Sequence, residues 1–153
     1  MTSILQKPTA LIGYGIQTLN RGPYSVLALV ARAATFSVFF RSGLVKISDW
    51  NAALQLFANE YKVPVLPPEV AAYMSASMEL GLSSLVLIGF ATRLSTLGLL
   101  GMVLTIQIFV YPEAWPDHLQ WLAFMLFIVC RGPGIFSVDH LIARAMGVKS
   151  AAA

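Results

Sequence analysis

Charged residues are scarce in this sequence. Asp, Glu, Lys and Arg make up 11% of its 153 residues, whereas an average soluble domain is about a quarter charged. Hydrophobic residues make up 58%, and a water-soluble fold of this composition would expose large apolar patches. The composition therefore predicts a membrane protein, with a length that allows about four spans of about 20 residues each. No basic run accompanies the net charge of +3, so nucleic acid is not an expected partner.

Cysteine and histidine are also scarce. Cys130 is the single cysteine, which excludes an intramolecular disulfide and any CxxC dithiol chemistry. We expect its side chain to be buried by packing. His118 and His140 flank the last predicted span at opposite ends, so they cannot jointly ligate one haem, and no HExxH or H-x-x-x-H pattern is present. The sequence therefore predicts no metal site.

Recognisable catalytic motifs are missing as well. The sequence contains no P-loop, no GxGxxG after a strand and no GxSxG elbow. No catalytic residue is assigned, and whether the chain is an enzyme subunit stays open. His118 with Asp117 or Glu113 would suit a proton relay at the outer surface, but a solvated histidine at a helix start is the favoured interpretation.

The long apolar segments predict an all-α membrane protein, a four-transmembrane-helix bundle with short amphipathic interfacial helices. We expect an N-terminal interfacial segment at residues 1–22, the transmembrane domain at 23–135, and a C-terminal cytoplasmic interfacial helix and tail at 136–153. The fourth span has few uninterrupted apolar residues, so its assignment rests on topology as much as on composition. The predicted spans are residues 24–45, 69–90, 94–111 and 116–131.

Amphipathic helices are predicted outside the spans. Residues 49–61 place Trp50, Phe57 and Tyr61 on one helical face, and Ser48 or Asp49 can cap this helix. It is expected to lie flat on the membrane or to cover the mouth of the bundle. Near the C-terminus, Ser137 is expected to cap a short helix with Asp139 in its first turn.

The basic residues outside the spans predict the orientation, because cytoplasmic loops carry an excess of Lys and Arg. With both termini in the cytoplasm, more of these residues lie inside than outside. The inner set is Lys7, Arg21, Arg93, Arg131, Arg144 and Lys149, and the outer set is Lys46 and Lys62.

Charges within the spans are the most informative residues, because an ionisable group in hydrocarbon costs at least about 2.5 to 3.5 kcal/mol. At about 1.5 Å per residue, Arg32 lies roughly 12 Å into the first span and Glu79 roughly 15 Å into the second. Their similar depth predicts an interhelical salt bridge. Such a pair would either fix the helix register or line a polar pocket for a quinone head group, a proton or a small anion.

Other polar residues extend this candidate intramembrane site. Lys46 returns almost to the helical face of Arg32 at the outer mouth, and Gln107 is the main polar residue of the third span. Arg41 is about half a turn away from Arg32 and is expected to snorkel outward. The candidate cofactor-binding residues are therefore Arg32, Glu79, Lys46 and Gln107.

These features, taken in order, resemble the DoxX family of small four-span membrane proteins. The resemblance covers about residues 32–141 and rests on motifs that are individually weak but occur in a specific order. They are Arg32, Ser42-Gly43-Leu44-Val45-Lys46, the Trp50 helix, Val63-Pro64-Val65-Leu66-Pro67, Met78-Glu79-Leu80-Gly81, Gly89-Phe90-Ala91-Thr92-Arg93, and Arg131-Gly132-Pro133-Gly134 with Ser137 and Asp139.

The resemblance implies a multi-pass protein of a bacterial-type inner membrane that is linked to redox systems. Relatives include a membrane subunit of thiosulfate:quinone oxidoreductase and a subunit associated with thiol and oxidative-stress enzymes. The leading hypothesis is an anchor or subunit of a redox complex that interacts with a quinone and has no covalently bound cofactor. Its expected partners are membrane lipid and either other subunits or a second copy. The alternatives are permeation of protons or small solutes, and a non-catalytic scaffold that docks a partner through residues 49–61.

Overall fold

The computed structural model describes residues 24–147, and the regular secondary structure in this range is entirely helical. The α-helices in chain order are α1 (Tyr24–Ser48), α2 (Trp50–Leu56), α3 (Pro68–Ile88), α4 (Thr92–Thr105), α5 (Trp115–Arg131) and α6 (Val138–Ala145). A π-helical segment (Phe57–Tyr61) extends α2, another (Ile106–Val110) extends α4, and a 3-10 turn (Pro112–Ala114) precedes α5.

The predicted all-α class is confirmed, and the helices occupy the predicted segments within a few residues. Three of them are long and apolar enough to cross a membrane: Tyr24–Ser48, Pro68–Ile88 and Thr92–Val110. The segment predicted as a fourth span is present as α5, a helix of 17 residues. The interfacial segment expected at residues 1–22, and the tail after residue 147, lie outside the described residues.

The bundle distributes polar and apolar side chains in the manner of a membrane protein. Side chains on its outer surface are largely apolar, including Leu27 (59% exposed) on α1 and Leu94 (73% exposed) on α4. Lipid is the solvent that such a surface fits. Several polar or charged side chains are instead buried, namely Arg32, Thr35, Glu79, Ser83, Thr92, Ser95, Thr96 and His118.

The four long helices form a closed bundle. Helix α1 packs against α3 and α5, and α4 packs against the same two helices, so α1 and α4 lie on opposite sides of the bundle. An apolar core that includes Phe39, Leu99, Met125 and Ile128 fills the centre. Cys130 is exposed on α5. The expectation that it would be buried was wrong, because the buried face of α5 is the one that carries Met125 and Ile128.

Helices α1 and α3 approach closely at Gly43. An ideal Cβ atom at this position would lie 2.7 Å from Cγ of Leu80 and 3.2 Å from Cβ of Glu79. Glycine is therefore required for the observed distance between the two helices, as is common where membrane helices pack tightly. This contact also sets their register, with Gly43 opposite Glu79 and Leu80.

The amphipathic helix predicted at residues 49–61 is present and covers one end of the bundle. The Asp49 side chain caps it by accepting a hydrogen bond from the Ala52 amide at 2.9 Å. Phe57 is buried against Ala71 and Ala72 at the start of α3. Of the two predicted placements, the structure therefore shows the one in which this helix closes the mouth of the bundle.

Candidate polar site inside the bundle

Lys46 of α1 and Glu79 of α3 form a buried ion pair. The Lys46 ammonium donates hydrogen bonds to Oε1 of Glu79 at 2.9 Å and to Oε2 at 2.8 Å. The two side chains are 12% and 4% exposed, respectively. Among residues 24–147 this is the one ion pair, and it stabilises two charges that would each be costly alone in an apolar environment.

Two serines extend the ion pair into a small network. Ser42 accepts a hydrogen bond from the Lys46 ammonium at 3.0 Å and donates one to Oε1 of Glu79 at 3.2 Å. Ser75 donates a longer hydrogen bond, 3.4 Å, to the same carboxylate oxygen. Each serine lies four residues from the charged residue on its own helix, so serine and charge share one helical face.

The ion pair lines a cavity of about 610 Å³. Side chains from α1, α3, α4 and α5 surround this space, and the segment from Phe57 to Val63 closes one end of it. The volume lies within the range of about 300 to 1,000 Å³ that is usual for small-molecule sites. Most of the wall is apolar or aromatic, as shown by Val38, Phe39, Met74, Met78, Met102 and Trp121.

The cavity reaches the surface of the bundle at an opening between α3 and α4, and it is also lined by the exposed residues Leu66 and Tyr111. Met74 of α3 (47% exposed) and Gly101 of α4 both line the cavity and are exposed at the surface of the bundle. An ideal Cβ atom at Gly101 has no neighbour within 4 Å. Because the outer faces of these helices are apolar, this opening faces the lipid.

His118 provides a further polar group in the cavity wall. It is 2% exposed, and its Nδ1 lies 2.6 Å from Oε1 of Gln107. Gln107 in turn donates a hydrogen bond to the Pro112 carbonyl at 2.7 Å, which orients its amide oxygen toward the histidine. The expectation of a solvated histidine was wrong, because α5 turns this side chain inward against Trp121. Its predicted relay partners, Asp117 and Glu113, are both exposed.

Two tyrosines and a glutamate lie at the rim of the cavity. The Tyr111 hydroxyl donates a hydrogen bond to the Glu60 carboxylate, and this bond raises the pKa of Tyr111 above its usual value. Tyr61 packs edge-on against Tyr111, with ring centroids 5.6 Å apart, and burial raises the pKa of Tyr61. Both phenols therefore stay protonated, and the contacts join the end of α2 to the end of α4.

Arg32 does not pair with Glu79, so the predicted salt bridge was wrong. The Arg32 guanidinium is 1% exposed and donates hydrogen bonds to main-chain carbonyls. These are the carbonyls of Val86 (2.9 Å) and Leu87 at the end of α3, and of Pro133 (3.1 Å) and Phe136 (2.6 Å) in the loop before α6. It thereby satisfies the Leu87 carbonyl and adds a second donor to the Val86 carbonyl, which also accepts from the Gly89 amide, at the negative end of the helix dipole.

The register set by Gly43 explains this error. In an antiparallel pair, a step of one residue toward the start of α1 corresponds to a step of one residue toward the end of α3. With Gly43 opposite Glu79, Arg32 comes opposite the end of α3, where its Nη2 lies 2.8 Å from the ideal Cβ position of Gly89. Lys46 lies three residues on the other side of Gly43, about one turn from Glu79, and its long side chain reaches the Glu79 carboxylate. The depth of a residue, counted along its own span, does not show which residue of the neighbouring helix it faces.

Asp139 has a structural role that the sequence pattern did not indicate. Its carboxylate accepts hydrogen bonds from the amides of Ala91 (2.8 Å) and Thr92 (2.9 Å) and from the Thr92 hydroxyl (2.7 Å). It therefore caps α4 from a distant part of the chain. Ser137 caps α6 as predicted, by accepting a hydrogen bond from the His140 amide.

The structure thus brings together Lys46 and Glu79 of the four candidate residues. Gln107 does not line this cavity and lies against His118, which does, while Arg32 is held at the opposite end of α3. The groups that could hold the polar part of a ligand are the ion pair, its two serines and His118. Within residues 24–147, no three His, Cys, Asp or Glu side chains lie close enough together to bind a metal ion.

Comparison with known proteins agrees with the resemblance seen in the sequence. The model of the DoxX family matches residues 27–112, which is more than half of the chain. The matched range contains Arg32, Lys46 and Glu79 and ends before α5. No curated protein and no solved structure matches the chain. The family match over more than half of its length shows that the chain belongs to the DoxX family.

Proposed function

We propose that this chain is the quinone-binding membrane subunit of a redox complex in a bacterial-type inner membrane. The observation that carries the proposal is the 610 Å³ cavity, which is apolar over most of its wall and polar at the Lys46–Glu79 pair and at His118. A quinone likewise has an apolar part, its ring and tail, and a polar part, its two carbonyl oxygens. Pockets that bind such molecules combine an apolar wall with a few placed polar groups.

The polar groups suit the quinone oxygens. The Lys46 ammonium has three donors, which contact Ser42 and both carboxylate oxygens of Glu79. A carbonyl oxygen would replace one of these acceptors while the other two contacts remain. His118 donates Nδ1–H to the Gln107 amide oxygen, which leaves Nε2 of the neutral ring as an acceptor for a hydroxyl group of the reduced quinol. The opening beside Met74 and Gly101 would let a quinone enter from the lipid, where quinones are dissolved. In this proposal Arg32 holds the bundle together and does not bind the ligand.

We further propose that α5 is a fourth span and that both termini are cytoplasmic. At 17 residues, α5 is about 25 Å long and reaches the lower limit for crossing the hydrocarbon. The end of the bundle that holds Arg93, Arg131 and Arg144 would face the cytoplasm. The cavity and the segment from Trp50 to Tyr61 would face outward.

A scaffold role through residues 49–61 has less support. The apolar face of this segment packs against the start of α3 within the same chain, with Ala53 and Phe57 both buried. It is therefore not a free docking surface. Partner subunits of the redox complex would have to bind elsewhere.

The test is quinone binding by the purified protein in lipid nanodiscs. Trp121 lines the cavity, so a short-chain benzoquinone or naphthoquinone should quench tryptophan fluorescence in a saturable manner. Gly101→Leu should fill the cavity opening and abolish saturable quenching. Gly81→Leu is the matched control, because Gly81 also lies within a helix with no neighbour near its Cβ position but does not line the cavity.

Two results would contradict the quinone role. One is non-saturable quenching in the wild type, and the other is equal affinity in the Gly101→Leu and Gly81→Leu variants. Glu79→Gln should weaken binding with a smaller effect on tail-only analogues. A liposome assay separates the alternative of permeation: a proton flux that requires this protein and is lost in Glu79→Gln would favour transport over quinone binding.

A further inference from the structure

A second cavity, of about 400 Å³, lies at the other end of the bundle. It forms where the turn between α3 and α4, the end of α5 and the start of α6 meet. Arg93 of α4 and Arg131 of α5 both line it. Nη2 of Arg93 lies 3.3 Å from the ideal Cβ position of Gly132, so the two guanidinium-bearing segments are in contact. This site is separate from the cavity assigned to a quinone.

The charges of this second cavity favour an anion. Neither Arg93 nor Arg131 has a carboxylate partner among residues 24–147. Asp139 also lines the cavity, but its two carboxylate oxygens accept hydrogen bonds from Ala91 and Thr92, as described above. The two guanidinium groups together carry more positive charge than the single Asp139 carboxylate carries negative charge. Their N–H donors are available to a ligand.

His140 supplies a second observation. It lines the same cavity, and its Nδ1 atom is buried with no hydrogen-bond partner in the part of the chain that the structure describes. A buried polar atom of this kind usually has a partner. An anionic ligand in the cavity would provide the missing acceptor once the His140 ring turns this covered atom toward it.

Arg131 is positioned rather than freely mobile. Its guanidinium carbon lies 5.3 Å from the centre of the Tyr24 ring, in a cation–π contact. The Tyr24 hydroxyl is fixed in turn by a 2.6 Å hydrogen bond to the Gly132 carbonyl. Planar guanidinium groups held in this way match the oxygens of a phosphate.

The surroundings indicate a lipid phosphate rather than a free one. Leu94 lines the cavity and is 73% exposed, and Leu97 (51% exposed) follows it on the outer face of α4. Helix α6 exposes Leu141 (63%) and is followed by the exposed Met146 (72%), as expected for a helix at the headgroup level. The cavity is therefore continuous with an apolar surface that acyl chains would cover.

We propose that this cavity binds the headgroup phosphate of an anionic phospholipid through Arg93 and Arg131, with an acyl chain along Leu94 and Leu97. The site is independent of the quinone role, because no residue of the first cavity contributes to it. It would hold the α3–α4 turn and α6 against the membrane surface.

Native mass spectrometry of the delipidated protein tests the proposal. The protein is incubated in mild detergent with equal amounts of phosphatidylglycerol and phosphatidylcholine that carry the same acyl chains. Phosphatidylglycerol adducts should predominate. Arg93→Gln and Arg131→Gln should each reduce the preference about fivefold, as expected for one basic residue at an anionic membrane surface. Arg41→Gln is the matched control, since Arg41 is an exposed arginine that does not line the cavity.

A second variant removes no charge. Ala143→Phe on α6 should fill the cavity and reduce phosphatidylglycerol binding while both guanidinium groups remain. Circular dichroism and gel filtration confirm that each variant is folded. Equal binding of the two lipids to the wild type would overturn the proposal, as would an unchanged preference in the doubly substituted arginine variant. Displacement of phosphatidylglycerol by millimolar inorganic phosphate would identify a free-anion site and would overturn the assignment to a lipid.

Discussion

Lys46 and Glu79 are joined by two hydrogen bonds, of 2.9 and 2.8 Å, across the interface of α1 and α3. Each residue is the partner that makes burial of the other tolerable, because a lone charge in an apolar environment is costly. The pair also lines the larger cavity, so its charges are available to a ligand at the same place where they hold two helices together. Stability and binding should therefore respond differently to changes in this pair.

Removal of one member of the pair should destabilise the protein more than removal of both. Lys46→Met leaves the Glu79 carboxylate buried without its cation, which should cost about 3 kcal/mol. The combination with Glu79→Gln should recover most of this loss. Thermal unfolding in detergent measures both effects. Lys62→Met, at an exposed lysine, is the control and should change stability by less than about 0.5 kcal/mol. Equal losses in the single and double variants would contradict the pairing.

Gly43→Ala should destabilise the interface of α1 and α3 by about 1 to 3 kcal/mol, the usual cost of overpacking. The added methyl group would lie 2.7 Å from Cγ of Leu80, so either the Leu80 side chain must move or the helices must separate, which would weaken the adjacent ion pair. Gly81→Ala is the control, because its methyl group meets no neighbour within 4 Å, and alanine favours a helix by about 1 kcal/mol. Thermal unfolding of the two variants should therefore shift in opposite directions.

Tyr111 should titrate at a higher pH than an ordinary tyrosine, because its hydrogen bond to Glu60 favours the protonated phenol. A pKa that is raised in the folded state contributes stability that is complete below the unfolded value of about 10. This contribution is lost as the pH rises above that value. Absorbance of tyrosinate near 295 nm, compared between the wild type and Tyr111→Phe, measures the pKa. Glu60→Gln should lower the pKa of Tyr111, and an unchanged titration in this variant would contradict the contact.

The helices were predictable from the sequence because their signals are local. Hydropathy indicated the long apolar segments, and the spacing of Trp50, Phe57 and Tyr61 indicated the amphipathic helix. Asp49 and Ser137 were recognisable as caps because each bonds an amide three residues away. Local patterns of this kind do not depend on how the helices pack.

The partners of the buried polar residues were not predictable, because they depend on helix register. Lys46 and Glu79 were both among the candidate residues, but the pattern paired Glu79 with Arg32 instead. The close approach at Gly43 sets the register, and a glycine in a sequence does not reveal which helix approaches it. The same limit applies to Asp139, whose bonds to Ala91 and Thr92 join segments 47 and 48 residues apart.

Arg32 should contribute to stability independently of Glu79. Arg32→Met would remove one donor from four carbonyls at the end of α3 and before α6, of which the Val86 carbonyl keeps the Gly89 amide. A carbonyl left buried without a donor costs about 1 to 3 kcal/mol, so the variant should lose about 3 kcal/mol or more. Because the two residues share no partner, the losses from Arg32→Met and Glu79→Gln should add within about 0.5 kcal/mol. Arg32→Lys should restore little, since an ammonium lacks the planar fork that reaches both chain segments. Arg41→Met is the control for the loss of an arginine on the same helix. A coupling energy above about 1 kcal/mol between Arg32 and Glu79 would instead support the direct salt bridge that their depth in the membrane suggested.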